Sequence, residues 1–369
     1  MGVNMEKKTK ILIAILAVII VAAVAIVCFV PSSTVSTDGN TTVTDMANRT
    51  VEVPSHIEKV VSTRPSMTKL IYMIAPDKLV GIDSKWRDYE LKYVPDKYKD
   101  IPEIGCWNGK KDASYEEFIA VDPDVVIQDI SNDPEDLKIV EERQKNFANI
   151  PVVATKDSVY ITEMAGSIKF LGTLLGVEDK ADSLNAFNEK YLAIAKETSQ
   201  QIPDSEKKTV YYARDENGLN TAGPNSPHAQ LINLVGGKNV ANVSGAEVED
   251  FSVSIEQVIS WNPDVIITCE KEFYDNVYND PTWASINAVK NHQVYLAPNS
   301  PAGWFDMPPS VNIIMGIPWT AKVIYPDKYS GINLIDATTE FYSEFYHYDL
   351  SDDEAKQMLL DSGLDESVL

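Results

Sequence analysis

Two hydrophobic patterns alternate along this chain. Val60-Val61, Leu79 to Ile82, Val125-Val126-Ile127 and Val152-Val153 are short, continuous apolar runs bounded by turn residues. Val210 to Ala213, Val265-Ile266-Ile267 and Val294 to Leu296 form a second such series. Short runs without alternation suit strands covered on both faces, as in parallel sheets. Helical starts follow most of them, which gives a βαβ rhythm. Between the two series the period changes. Ile161, Met164, Ile168, Leu171 and Leu175 fall at helical spacing, and after Gly176 the pattern resumes with Ala181, Leu184, Phe187, Tyr191 and Ile194. Helices over 162–175 and 179–199 are predicted, a connector stiffer than a loop. Ser351 with Glu354 forms a capping box that opens a last short helix near 352–361.

One unit occurs twice. Residues 114–127 read SYEEFIAVDPDVVI and residues 254–267 read SIEQVISWNPDVII, a gapless alignment at an offset of 140 with 7 of 14 positions identical. Ser114 and Ser254 suit helix N-caps, with Glu117 and Gln257 placed to complete a capping box. Phe118-Ile119 and Val258-Ile259 follow in a short helix. Pro123 and Pro263 cannot continue it, and a buried strand comes next. Two copies this far apart indicate two lobes rather than a solenoid. A cleft between lobes is where small molecules bind.

The N-terminus is different. Lys7, Lys8 and Lys10 precede an uncharged run from Ile11 to Val30. Twenty residues at helical rise span about 30 Å, the thickness of a bilayer core. An uncleaved anchor is expected, with a cleaved signal as the rival; either way the positive flank stays in the cytoplasm and the rest goes outside. Cys28 follows Ile26-Val27 rather than the small residues a lipid-modified cysteine would want. Pro31 to Thr44 is rich in Ser, Thr, Gly and Asn and reads as a flexible tether. Asn40, Asn48 and Asn242 lie in N-x-S/T acceptors. The expected organisation is an anchor or signal segment (1–30), a linker (31–44), a first α/β lobe (45–160), a helical spine (161–200), a second α/β lobe (201–345) and a tail with a short helix (346–369).

Charge narrows the partners. The chain carries a formal net charge of −23 in 369 residues, which repels nucleic acid and anionic lipid. Cys28, Cys106 and Cys269 are too few for a disulfide framework, and no C-x-x-C is present. His56, His228, His292 and His347 are scattered without paired spacing, so no protein-built metal site is indicated. A carried metal would arrive inside a chelate or as an oxyanion.

Five stretches, in order, carry a resemblance. They are VVSTRPS at 60–66, APDKLVGI at 75–82, the paired S-x-E…P-D-V units, LVGGKNVA at 234–241 and NDPTWASINAVKNHQVY at 279–295. Over about 45–350 the chain resembles the class III solute-binding proteins of ABC importers, the group that binds ferric siderophores, haem and cobalamin. It departs at Lys69, where relatives often have Glu, and at Ile74-Ala75, where they often have Leu-Gly. The resemblance implies a Rossmann-like lobe on each side of a helical spine that limits closure. It also implies a membrane permease and a cytoplasmic ATPase as partners, with Glu116 and Glu256 engaging permease arginines. An acidic residue in a first helical turn also favours the helix dipole without any partner.

The cleft is expected beyond the carboxyl ends of the strands. The chain has only five arginines, and Arg64, Arg87 and Arg214 fall shortly after predicted strands. Arginine binds carboxylate or phosphate through a planar fork, so these positions suggest an anionic ligand. Trp86, Trp107, Tyr212 and Trp304 accompany them, residues that combine apolar area with a polar handle. His228, in S-P-H-A, joins the candidates, with a capping or surface role as its alternative. The expected function is delivery of an iron complex, such as a ferric siderophore, to an importer, without a cofactor of the protein's own. Cobalamin, haem and molybdate or tungstate stay open as ligands. A chelatase-like or metallocluster enzyme on a related two-lobed fold would want cysteine or histidine ligands in the cleft, and no catalytic spacing is found.

Overall fold

The computed structural model describes residues 39–107, 113–131, 133–243 and 250–369. The expected anchor at 1–30 and residues 31–38 of the expected linker lie outside the described residues. Among those described, no helix is long and apolar enough to cross a membrane. The linker's last residues are strand: β1 (Asn40–Thr44) pairs antiparallel with β2 (Thr50–Pro54). Buried Asp45 closes this hairpin by accepting from Arg49 Nε at 2.9 Å. It fastens the hairpin to the first lobe by accepting from the Ala154 N–H at 3.1 Å.

The first lobe holds a parallel sheet of β3 (Val60–Ser62), β4 (Val125–Ile130) and β5 (Val152–Lys156), in that order. The expected strand at 79–82 appears only as single bridges, Leu79 to Val60 and Ile82 to Glu103. The second lobe contains β6 (Thr209–Ala213), β7 (Asn220–Thr221), β8 (Lys238–Asn239), β9 (Phe251–Ser252), β10 (Val265–Thr268) and β11 (Val294–Leu296). Its main sheet is parallel with order β11-β10-β6-β8, and β7 pairs with β9 apart from it. The spine is a helix over Ala165–Leu175 and a 23-residue helix over Glu178–Gln200, roughly 35 Å at standard rise. Between them Gly176 is left-handed (φ 66°), a conformation that glycine adopts without steric cost. The two helices meet closely: a Cβ on Gly172 would sit 2.4 Å from that of Ala181.

The repeat governs how side chains are shared out. Val125 and Ile127, with their counterparts Val265 and Ile267, face a continuous core that runs along the spine. Val126 and Phe118 face a separate outer cluster of the first lobe. Their counterparts Ile266 and Val258 face an outer cluster of the second. Each sheet therefore has its inner face on a common core and its outer face on a private one. The helix stops also match. Ser114 and Ser254 each accept from the backbone N–H three residues on. Asp122 (φ 51°) and Asn262 (φ 45°) turn left-handed just before the two prolines. Asp and Asn are among the residues that tolerate this conformation best, and a following proline disfavours the helical alternative.

Candidate functional site

The second lobe contributes a buried polar knot. β6 ends so that Tyr212 points inward and Arg214 follows it out of the sheet. Tyr212 donates from Oη to Asp306 Oδ2 at 2.8 Å and lies 3.4 Å from Cys269 Sγ. Arg214 Nε stands 3.3 Å from the same carboxylate oxygen, and its Nη1 lies 3.0 Å from Asp250 Oδ2. His228 Nδ1 meets Asp306 Oδ1 at 2.7 Å. Nδ1 must carry the proton to donate there, so Arg214 Nη2 at 3.4 Å from Nδ1 is a neighbour rather than its donor. Asp306 is wholly buried. A carboxylate there is tenable because it is paired and hydrogen-bonded. Burial, and then the nearby Asp306 charge, push the hydroxyl of Tyr212 and the thiol of Cys269 upward. Asp306 was invisible to sequence reasoning, because it reaches the knot from a loop 92 residues beyond Arg214.

The first lobe contributes a second cation group. Arg64 precedes the Pro65–Ile74 helix, and its Nε lies 3.1 Å from Asp129 Oδ1. Asp129 is buried near the end of β4. Burial pushes its carboxyl up to about 6, opposed by Arg64. Asp157, just after β5, is also raised by burial. Trp107 donates its backbone N–H to Thr63 O at 3.2 Å, the carbonyl that follows β3. Its ring packs on Phe118 at 4.8 Å and Tyr115 at 5.0 Å. Arg143, from the Glu135–Asn146 helix, covers the ring at 3.9 Å. Sequence reasoning passed over Arg143 because it follows no strand directly.

Where the lobes approach, Arg87 Nη1 donates to Tyr89 Oη, and Ser300 Oγ donates to the Tyr89 carbonyl at 2.6 Å. Glu270, just beyond β10, is close enough to Arg87 for each charge to favour the other, while burial raises the Glu270 carboxyl. Trp86 turns inward: its Nε1 donates to Tyr98 O at 3.0 Å, and its ring lies 5.2 Å from that of Tyr72. Trp304 is fully buried, 6.3 Å from the ring of Tyr342. The structure thus brings Tyr212, Arg214 and His228 into one knot and Arg64 and Trp107 into one shoulder. It sets Trp304 in the core and packs half-buried Trp86 against it. Exposed Leu137, Tyr160 and Met307 lie on segments that follow β4, β5 and β11. A cavity of about 670 Å³ opens beside Ser300, walled by Tyr93, Tyr274 and the Asp352–Asp361 helix; none of the candidate residues lines it.

Glu116 and Glu256 are exposed in the first turns of the repeated helices. The backbone N–H of Glu256 and the Ser254 hydroxyl hold its carboxyl below the usual range. Ile119 and Ile259, three residues on, are exposed as well. Among the described residues no group of three or more His, Cys, Asp or Glu side chains is placed to hold a metal ion.

The comparisons with known proteins agree with the α/β fold. A family model described as periplasmic binding protein matches residues 60–301. The molybdate-binding protein MolA of Haemophilus influenzae is 25% identical over 357 residues, covering 89% of this chain and 97% of the relative. The uncharacterized ABC transporter substrate-binding lipoprotein YvrC of Bacillus subtilis is 26% identical, covering 78% and 86%. A solved ABC transporter solute binding protein from Sulfurospirillum deleyianum superposes with a TM-score of 0.76 at 29% identity, covering 86% of this chain and 98% of that one.

Proposed function

We propose, from the premise that this chain belongs to the periplasmic binding protein family and is a substrate-binding protein of an ABC transporter, that its cargo is a compact, oxygen-rich metal anion held between the lobes. Proteins of this kind work with a permease and an ATPase. In this reading the chain is tethered outside the cell by residues 1–30, and Glu116 and Glu256 face the permease. The reading covers a tetrahedral metal oxyanion and a small anionic iron chelate.

One observation carries the ligand class. Three of the five arginines of a strongly acidic chain, Arg64, Arg143 and Arg214, lie around the carboxyl ends of β3, β4 and β6. Carboxylates brace Arg64 and Arg214, so little rotamer entropy is left to lose when an anion meets their forks. A broad planar macrocycle would want open aromatic faces instead. Here Trp304 and Tyr212 are fully buried, and Lys69 and Arg143 cover Trp86 and Trp107. The relation to a molybdate-binding protein over nearly its whole length points the same way.

The test is a thermal-shift screen of the purified protein with molybdate, tungstate, ferric citrate, haem and cobalamin. A ligand at 100 times its Kd adds about 2.7 kcal/mol of apparent stability. A shift with molybdate, tungstate or ferric citrate is expected. A response confined to haem or cobalamin would reject the compact anion.

A further inference from the structure

Arg143 is left without a structural explanation by the rest of the site. Among the described residues Arg49, Arg64 and Arg214 each sit in an ion pair with a carboxylate. Among the described residues Arg143 has no carboxylate at ion-pair distance, and its Nε is buried without a hydrogen-bond partner. The guanidinium lies 3.9 Å over the Trp107 ring, with the Tyr115 hydroxyl and, less closely, the Glu142 carboxylate as its favourable polar neighbours. Burial lowers its pKa, Tyr115 and Glu142 oppose that, and Arg64 adds a small push in the same direction as burial. Asp129 offsets the Arg64 charge, but the buried Arg143 Nε donor stays unmet, which is unfavourable unless an acceptor reaches it. Stacking on an aromatic face fixes the guanidinium plane and leaves its edge, where the N–H donors lie, for an acceptor. Trp107 is tied through its backbone to Thr63, the residue before Arg64, so the platform and both cations share one shoulder of the cleft.

We infer that Arg143 and Arg64 are the two prongs of an anion subsite floored by Trp107, which receives one oxygen-bearing edge of the cargo. The subsite rests on the ligand class proposed above and names residues for it. The chemistry recognised is a pair of anionic oxygens, supplied by an oxyanion or by a carboxylate of an iron chelate.

The experiment is calorimetric titration of the full chain with sodium molybdate and, separately, ferric citrate, for the wild type, Arg143→Gln, Arg143→Lys and Trp107→Phe. Tryptophan emission is followed in parallel. Losing a bidentate charged contact is expected to weaken binding of the bound probe about tenfold or more in Arg143→Gln. Arg143→Lys should fall between, since it keeps the charge without the fork. The emission change on binding should shrink in Trp107→Phe. An Arg143→Gln protein with wild-type melting and an affinity within twofold overturns the subsite and leaves the cargo class standing. If that variant does not fold, unchanged affinity in Arg143→Lys together with an unchanged emission response in Trp107→Phe overturns it equally. A wild type that binds neither probe removes the cargo class and the subsite together.

Discussion

Asp129 offers the sharpest test of the electrostatics. It is 3% exposed, 3.1 Å from Arg64, and its carboxyl is pushed from 3.8 up to about 6. The folded state therefore binds this proton more tightly than the unfolded chain. Stability falls as pH rises through the window from about 4 to about 6, and it is regained on acidification. A displacement of roughly two pH units corresponds to about 3 kcal/mol, at 1.36 kcal/mol each. Asp129→Asn keeps the shape and removes the titration. Removing one partner of a buried pair normally strands the other charge. Arg64, however, is 37% exposed at its side chain and stays hydrated. The variant is therefore expected to gain on the wild type as pH rises, by about 3 kcal/mol between pH 4 and pH 7.5.

The assay is urea unfolding of both proteins at closely spaced pH values, read as the difference between them. That difference cancels the many other carboxylates of the chain. Asp157 shares the direction of shift, so some pH dependence should persist in the variant. A stability difference that is flat with pH, or that grows toward acid, would refute the assigned burial cost.

Other substitutions probe other parts. Glu116→Lys with Glu256→Lys should abolish transport in cells while titration of the purified protein shows unchanged ligand affinity; normal uptake would reject the docking role. Asp306→Ala leaves Arg214, Tyr212 and His228 around an empty buried position and should cost about 3–5 kcal/mol in urea unfolding. A Cβ on Gly303 would lie 2.1 Å from the Asp306 carbonyl oxygen. Gly303→Ala must therefore move that backbone, and both melting temperature and ligand affinity should drop. Phe118→Ala opens the outer cluster of the first lobe at about 3–5 kcal/mol, and its calorimetric affinity for the cargo should change less than that of Arg64→Ala.

The duplicated unit was the most legible part of the chain because hydrophobic period and capping chemistry agreed in both copies. The spine was read nearly to its ends, 162–175 against Ala165–Leu175 and 179–199 against Glu178–Gln200. The hairpin at 40–54 was missed in both strands. NTTVT is Thr-rich and half-exposed, so composition suggested a tether, while the anchor that orders it, Asp45 to Arg49 and Ala154, is partly a contact across 109 residues. Arg64 and Arg214 were visible because they follow strands at once. Arg143 and Asp306 were not, since a helix and a long loop bring them in, and local pattern carries no record of such distant meetings.

The shared core bears on how the cleft works. Side chains of both sheets, the spine and the Gly316–Ile324 helix belong to one continuous apolar body. All nine residues of that last helix are buried. Ser310 adds polar stitches at the same level. It donates to the Ser66 carbonyl at 2.8 Å, so the hydroxyl of Ser158, 3.1 Å away, must be the donor to Ser310. Large rotation of the lobes would open close-packed apolar contacts and break these buried bonds, at about 0.5–1.5 kcal/mol net for each bond and more for the packing. Domain closure is thus a poor source of discrimination in this molecule. Under the proposed reading, selectivity rests on side chains already held before the cargo arrives, as Arg214 is between Asp306 and Asp250 and Arg143 is on Trp107.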